Sequence, residues 1–138
     1  MRYLVDANVL SESCKPAPQE QVLEWVQAHE RELAINPVVL GELEFGVLSL
    51  PRGQRRDRLA AWLAQTARFL HVLPLDKRSA YVWAQLLSDL RQKGRAMPVK
   101  DSLIAATALQ HGLIVATRNV SDYRYSGVEI VNPFVMRT

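Results

Sequence analysis

The sequence is poorest in the residues that bind soft metals and form cross-links. It has one cysteine, Cys14, so no internal disulfide can form. Its three histidines, His29, His71 and His111, show no ligand spacing such as H-x-x-x-H, and with a single thiol they do not make a zinc set. They are read as structural or surface residues. No apolar run approaches the ~18 residues of a membrane span. The opening MRYLVDAN reaches an aspartate too early for a signal-peptide core. A cytoplasmic protein without membrane contact is therefore expected. The G-x-S-x-G elbow, the G-x-x-x-x-G-K-[ST] phosphate loop and the G-x-G-x-x-G dinucleotide turn are also missing, which sets aside the chemistries they carry.

What is present has the balance of a globular chain, 49% hydrophobic and 22% charged over 138 residues. That length suits one domain, read here as residues 1–138, with no repeat or long linker. The net charge of +3 is compatible with a polyanionic partner but carries little weight alone.

Short apolar runs alternate with helical patterns. RYLV (2–5), ELAIN (32–36), HVLPL (71–75), LIVAT (113–117) and GVEIVNP (127–133) read as strands. NVLSES after Asp6 reads as a helix capped by Asn8 and stopped by Pro16 and Pro18. Val22, Leu23, Trp25 and Val26 recur at helical spacing, and Pro37 restarts a helix. Further helices are expected at 54–70, at 76–94 behind a capping Asp76, and at 101–111, ended by Gly112. Strands that are apolar throughout, separated by helices, predict a mostly parallel sheet covered on both faces.

In such sheets ligands bind outside the carboxyl ends of the strands, so strand-terminal polar residues are the first candidates for chemistry. Asp6 ends the first strand, and Asn119 and Asp122 follow the strand at 113–117. Asp101 shares a helix face with Ile104, Ala105 and Ala108, where a charge wants a partner. Glu42 has Val38, Val39, Phe45 and Gly46 as helical neighbours, although periodicity alone does not choose between it and Glu44. Acids in apolar surroundings near one crevice repel unless a cation holds them, and all-oxygen donors suit magnesium or manganese. Two basic runs, PRGQRRDR (Arg52, Arg55, Arg56, Arg58) and RQKGR (Arg91 to Arg95), could track a nucleic-acid backbone or be solvated faces.

The segments YLVDANVLSE, NPVVLGELEFGVLSLP, LPLD, DSLIAATALQHGLIVATRN and VNP, in this order and spacing, resemble a PIN domain of the VapC and FitB type, the toxins of bacterial toxin–antitoxin pairs. The resemblance covers essentially the whole chain. It implies a three-layer α/β/α sandwich with a mostly parallel central sheet, and an endoribonuclease that uses Mg²⁺ or Mn²⁺. It also implies a homodimer and a VapB/FitA-like antitoxin through which alone the protein meets DNA. Residue by residue, Asp6, Glu42 and Asp101 match the family's acids, with Asp6 and Asp101 as metal ligands, and Asn8 matches an orienting polar residue. Where many members have aspartate this chain has Asn119, so Asp122 is taken as the fourth acid and Asn119 as a neutral neighbour. Arg118, Lys100 and Arg95 are the nearest cations in sequence for a substrate-binding rim.

Two other readings exist. A PIN-fold module that binds RNA without cleaving it would explain Asn119. A phosphoacceptor receiver domain is also α/β, but it pairs two acids after its first strand and carries a lysine after a later one, whereas Lys77 and Lys100 suit helix starts. On the ribonuclease reading, Asp122→Ala costs more RNA cleavage than Asn119→Ala. The reverse ranking in a cleavage assay would return the fourth position to Asn119.

Overall fold

The apolar runs pair as expected, in a sheet that is parallel throughout. The structure, a computed structural model, describes residues 1–135. The end of the expected 1–138 domain therefore lies outside the described residues. The strands are β1 (Tyr3–Val5), β2 (Leu33–Ile35), β3 (His71–Val72), β4 (Ile114–Ala116) and β5 (Ile130–Val131), in the order β3-β2-β1-β4-β5. Every neighbouring pair runs parallel. β1 and β2 are buried along their whole length, which is why their sequences do not alternate.

Six helices flank the sheet in an α/β/α arrangement: α1 (Ala7–Leu10), α2 (Glu20–Ala28), α3 (Pro37–Leu48), α4 (Gln54–Phe69), α5 (Lys77–Gln92) and α6 (Val99–His111). α2 is fastened over β1 by an aromatic group in which the Tyr3 and Trp25 rings meet edge to face, 5.0 Å between centroids. His29 completes it, its Nδ1 lying 2.8 Å from the Trp25 carbonyl oxygen, so this histidine is structural. His71 and His111 are exposed.

Several boundaries differ from expectation for local reasons. α1 is a single turn continued by a 3-10 turn at Ser11–Cys14, and its cap is Asp6 rather than Asn8. The Asp6 Oδ1 accepts the Ala7 N–H at 2.8 Å, which puts the cap two residues earlier than predicted. α6 starts at Val99 behind Pro98, which places Asp101 inside the first turn without a capping bond. The outer strands shrink to two residues each because only those reach a paired neighbour. Asp76 does cap α5, in a reciprocal box with Ser79. Gly112 takes φ +65°, a left-handed helix end that glycine adopts without a side-chain clash and that turns the chain straight into β4.

Asn36 ties these elements together. Fully buried after β2, it accepts the Val39 N–H at 3.0 Å to cap α3. Its amide donates to the Thr107 hydroxyl of α6 at 2.9 Å. Asn36→Leu would lose the cap and strand buried polar groups, a cost of about 2–4 kcal/mol. Urea denaturation should show that loss, and a wild-type midpoint would dismiss the clamp.

Candidate active site

The chain runs from β1 outward to β2 and β3, then returns to lay β4 and β5 on the other side, so strand order reverses between β1 and β4. At such a point the connections diverge and leave a crevice at the carboxyl ends of the strands. Asp6 leaves β1 there and Thr117 leaves β4. The Asp6 amide donates to the Ala116 carbonyl at 2.9 Å, continuing the strand pairing to the site itself.

The Asp6 side chain, 3% exposed, is held from both ends. Oδ1 serves the α1 cap, and Oδ2 accepts the Thr117 hydroxyl at 2.8 Å and the Tyr123 hydroxyl at 3.3 Å. The same Tyr123 hydroxyl lies 3.4 Å from Asp101 Oδ1. Tyr123 belongs to a 3-10 turn (Val120–Tyr123) and is fully buried. Burial first, and then the charges of Asp6 and Asp101, push its hydroxyl far above the usual phenol range, so it remains a proton donor at every working pH. One neutral hydroxyl thus stands between two carboxyls.

Asp101 reports on the company it keeps. Its carboxyl is pushed up to about 6, by burial first and then by the negative charges of Asp6, Asp122 and Glu42. Four acids from four separate elements therefore share one electrostatic site. Glu42, half-buried on α3, is met by Lys100 at 3.4 Å. Glu44 is exposed and is not among the charges that raise Asp101.

Asp122 and Asn119 also separate. Asp122 is half-buried beside Asp101, while Asn119 is exposed and engages through its backbone, its N–H donated to Thr117 Oγ1 at 3.0 Å and its carbonyl accepting the Asp122 N–H at 3.1 Å. Asn8 accepts the Arg118 backbone N–H at 3.1 Å, so it braces the segment after β4. The Arg118 guanidinium lies 4.8 Å from the Phe134 ring centre and that of Arg95 lies 4.2 Å from Tyr125's, both as cation–π contacts. Of the three rim candidates, Lys100 alone has a carboxylate of the site as partner. Thr117 and Tyr123 were not among the sequence candidates. Thr117 ends β4 as Asp6 ends β1, and the same strand-end argument would have found it. Tyr123, an aromatic in a polar turn, reads as core.

Among the described residues the ion pairs are Lys15–Glu12 and Lys100–Glu42, so Asp6, Asp101 and Asp122 have no basic partner. The donors gathered here are carboxylate and hydroxyl oxygens without histidine or thiolate, which fits a hard divalent cation. No three of the described acidic, histidine or cysteine side chains are already drawn to metal-holding distance.

A family model for the PIN domain matches residues 3–127. The chain belongs to the PIN domain family. A VapC ribonuclease of Sinorhizobium fredii is 35% identical over 136 residues, covering 95% of this chain and 96% of that one. Toxin FitB of Neisseria gonorrhoeae is 34% identical over 135 residues, with 95% and 97% covered. The crystal structure of FitAcB from Neisseria gonorrhoeae superposes with a TM-score of 0.91 at 32% identity, covering 97% of this chain and 99% of that chain. This PIN domain shares the α/β/α architecture with it.

The raised Asp101 carboxyl fixes a sign for stability. Between about pH 4 and 6 the folded PIN domain keeps a proton that the unfolded chain has released, so stability falls as pH rises through that window and stays lower above it. Asp101→Asn mimics the protonated state. In EDTA it should raise the melting temperature by several degrees at pH 7.5, with the gain vanishing near pH 4. An aspartate kept for structure would give a loss at pH 7.5 instead.

Proposed function

We propose that this PIN domain, acting as a single domain, is the toxin of a VapBC-type toxin–antitoxin pair: a cytoplasmic endoribonuclease that hydrolyses RNA phosphodiester bonds with Mg²⁺ or Mn²⁺. The observation that carries the reading is the convergence of Asp6, Glu42, Asp101 and Asp122 on the sheet's switch point, with three of the four lacking a basic partner among the described residues. The ribonuclease and toxin named among its relatives support it.

Asp6 and Asp101 are the residues that would hold the cation, which when bound supplies positive charge to the phosphate and makes the attacking water more acidic. Thr117 and Tyr123 orient those carboxylates by donating to them. Glu42 and Asp122 stand at the side of the cluster where they can position a water and accept its proton. Lys100 tempers the Glu42 charge, Asn8 and Asn119 hold the strand-end loop, and Arg118 adds a cation for the RNA backbone.

A VapB/FitA-like antitoxin is the partner, and DNA is met only through it. An apolar cleft between α2 and α4, lined by Leu23, Val26, Trp62, Phe69 and Leu70, offers a surface for such a partner segment. Exposed Phe45 and Leu48 on α3 give apolar area for a homodimer. The non-catalytic alternative rests on Asn119. That residue is exposed, however, and Asp122 supplies the charge beside Asp101.

The test is incubation of a mixed cellular RNA pool with antitoxin-free protein, with Mg²⁺ or Mn²⁺, with EDTA, and with Asp6→Asn, which keeps the Oδ1 acceptor of the α1 cap. Discrete fragments are expected with the cation alone, and EDTA and the folded variant should abolish them. RNA left intact by folded wild-type protein in every condition would transfer the assignment to a binding module without cleavage.

A further inference from the structure

Two adjoining clefts run from Glu42, at one side of the acidic site, along α4. The first, about 300 Å³, has Asn8 and Glu42 in its lining together with Arg55, Leu59 and Trp62. The second is lined by Lys15, Arg55, Arg58 and Leu59, and the two share Cys14, Arg55 and Leu59. A single path therefore leads from the Glu42 carboxylate to the arginines. Arg55, Arg58 and Leu59 fall on one face because they lie three and four residues apart in α4. Asp57, the acid between the two arginines in sequence, lines neither cleft.

The charges along this path are unequal. Lys15 sits 2.9 Å from buried Glu12, which cancels it and is itself held below the usual carboxylate range, chiefly by that ammonium. Arg55 and Arg58 are exposed and make no ion pair among the described residues. Of three cations nearer the acids in sequence, Lys100 is paired with Glu42, while Arg118 and Arg95 lie over the rings of Phe134 and Tyr125 and line neither cleft. A site built from four carboxylates repels a polyanion, so a substrate strand needs positive charge next to the point of cleavage.

We infer that the α4 clefts are the path of single-stranded RNA, with Arg55 and Arg58 contacting phosphates that flank the one lying at the acids. The inference rests on the ribonuclease reading above and adds to it the direction in which the strand leaves the site. The contacts are to the backbone, so they set position and affinity without selecting bases. Leu59 and Trp62 give the path an apolar wall against which base or ribose faces can lie. Cys14, the one cysteine of the chain, sits half-buried where the two clefts meet, and its thiol reports on occupancy.

The test uses the full chain in EDTA, so that RNA is bound but not cut, and a fluorescent unstructured RNA 12-mer read by anisotropy across a salt series. Arg55→Ala/Arg58→Ala should weaken binding roughly tenfold at low salt and lower the slope of log affinity against log salt by about 1.4, near 0.7 for each phosphate lost. Arg78→Ala, on α5 and outside both clefts, should leave affinity and slope unchanged. RNA should also slow alkylation of Cys14 by N-ethylmaleimide severalfold in the wild type. A double variant that binds with wild-type affinity and slope, or RNA that binds the wild type without protecting Cys14, overturns the path and leaves the ribonuclease reading standing. A double variant that loses antitoxin but keeps RNA assigns the cationic face to the protein partner and equally overturns the inference. Wild-type protein that neither binds RNA in this assay nor cleaves it with a divalent cation overturns both.

Discussion

Asp6, Glu42, Asp101 and Asp122 are held close enough to influence one another with Lys100 alone, among the described residues, paired to any of them, and such an arrangement persists only where a scaffold opposes the repulsion. Each opposing restraint comes from a different element. β1 fixes the Asp6 backbone by its pairing with β4, and Thr117, Ala7 and Tyr123 donate to its carboxylate. The Asn36–Thr107 bond joins the base of α3 to α6, so the helices that carry Glu42 and Asp101 are linked through a buried polar contact. Breaking any one of these lets the acids spread. The apolar core then stabilises the protein partly in order to hold an unfavourable site together.

Much of this was readable in the residues, for specific reasons. β1 and β2 are buried on both sides, so their composition alone marks them, and Asp76 and Gly112 sit at helix ends where cap chemistry is strongly selective. Asp6 and Asp101 stood out because a charge beside an unbroken apolar run is costly. The misses share a different cause. Whether Asp6 or Asn8 caps α1 depends on the segment after β4, whose Arg118 N–H takes the Asn8 oxygen, a long-range contact that no spacing rule encodes. The length of β3 and β5 is set by where a neighbouring strand lies. Periodicity could not tell Glu42 from Glu44; the family resemblance chose Glu42, and the packing of α3 puts that residue among the charges acting on Asp101. Tyr123 is the clearest case: its ring belongs to the core and its hydroxyl to the site, and the letter Y carries both meanings.

The hydroxyls of Thr117 and Tyr123 change how the acidic cluster should be regarded. Carboxylates alone would be free to rotate and find solvent, whereas donors that cannot ionise in the working range fix their orientation without adding charge. The site is thus ordered by neutral donors, with no ammonium group paired to Asp6 or Asp101 among the described residues.

The two outer strands, His71–Val72 and Ile130–Val131, are too short to present more than a few unpaired backbone groups. A sheet edge of that size is a poor template for another strand, which guards the folded chain against edge-to-edge aggregation. It also directs how new associations can evolve on this scaffold. With little main-chain edge to extend, recognition falls to side chains on the helices, where single substitutions can retune a partner without disturbing the strands that anchor Asp6 and Thr117.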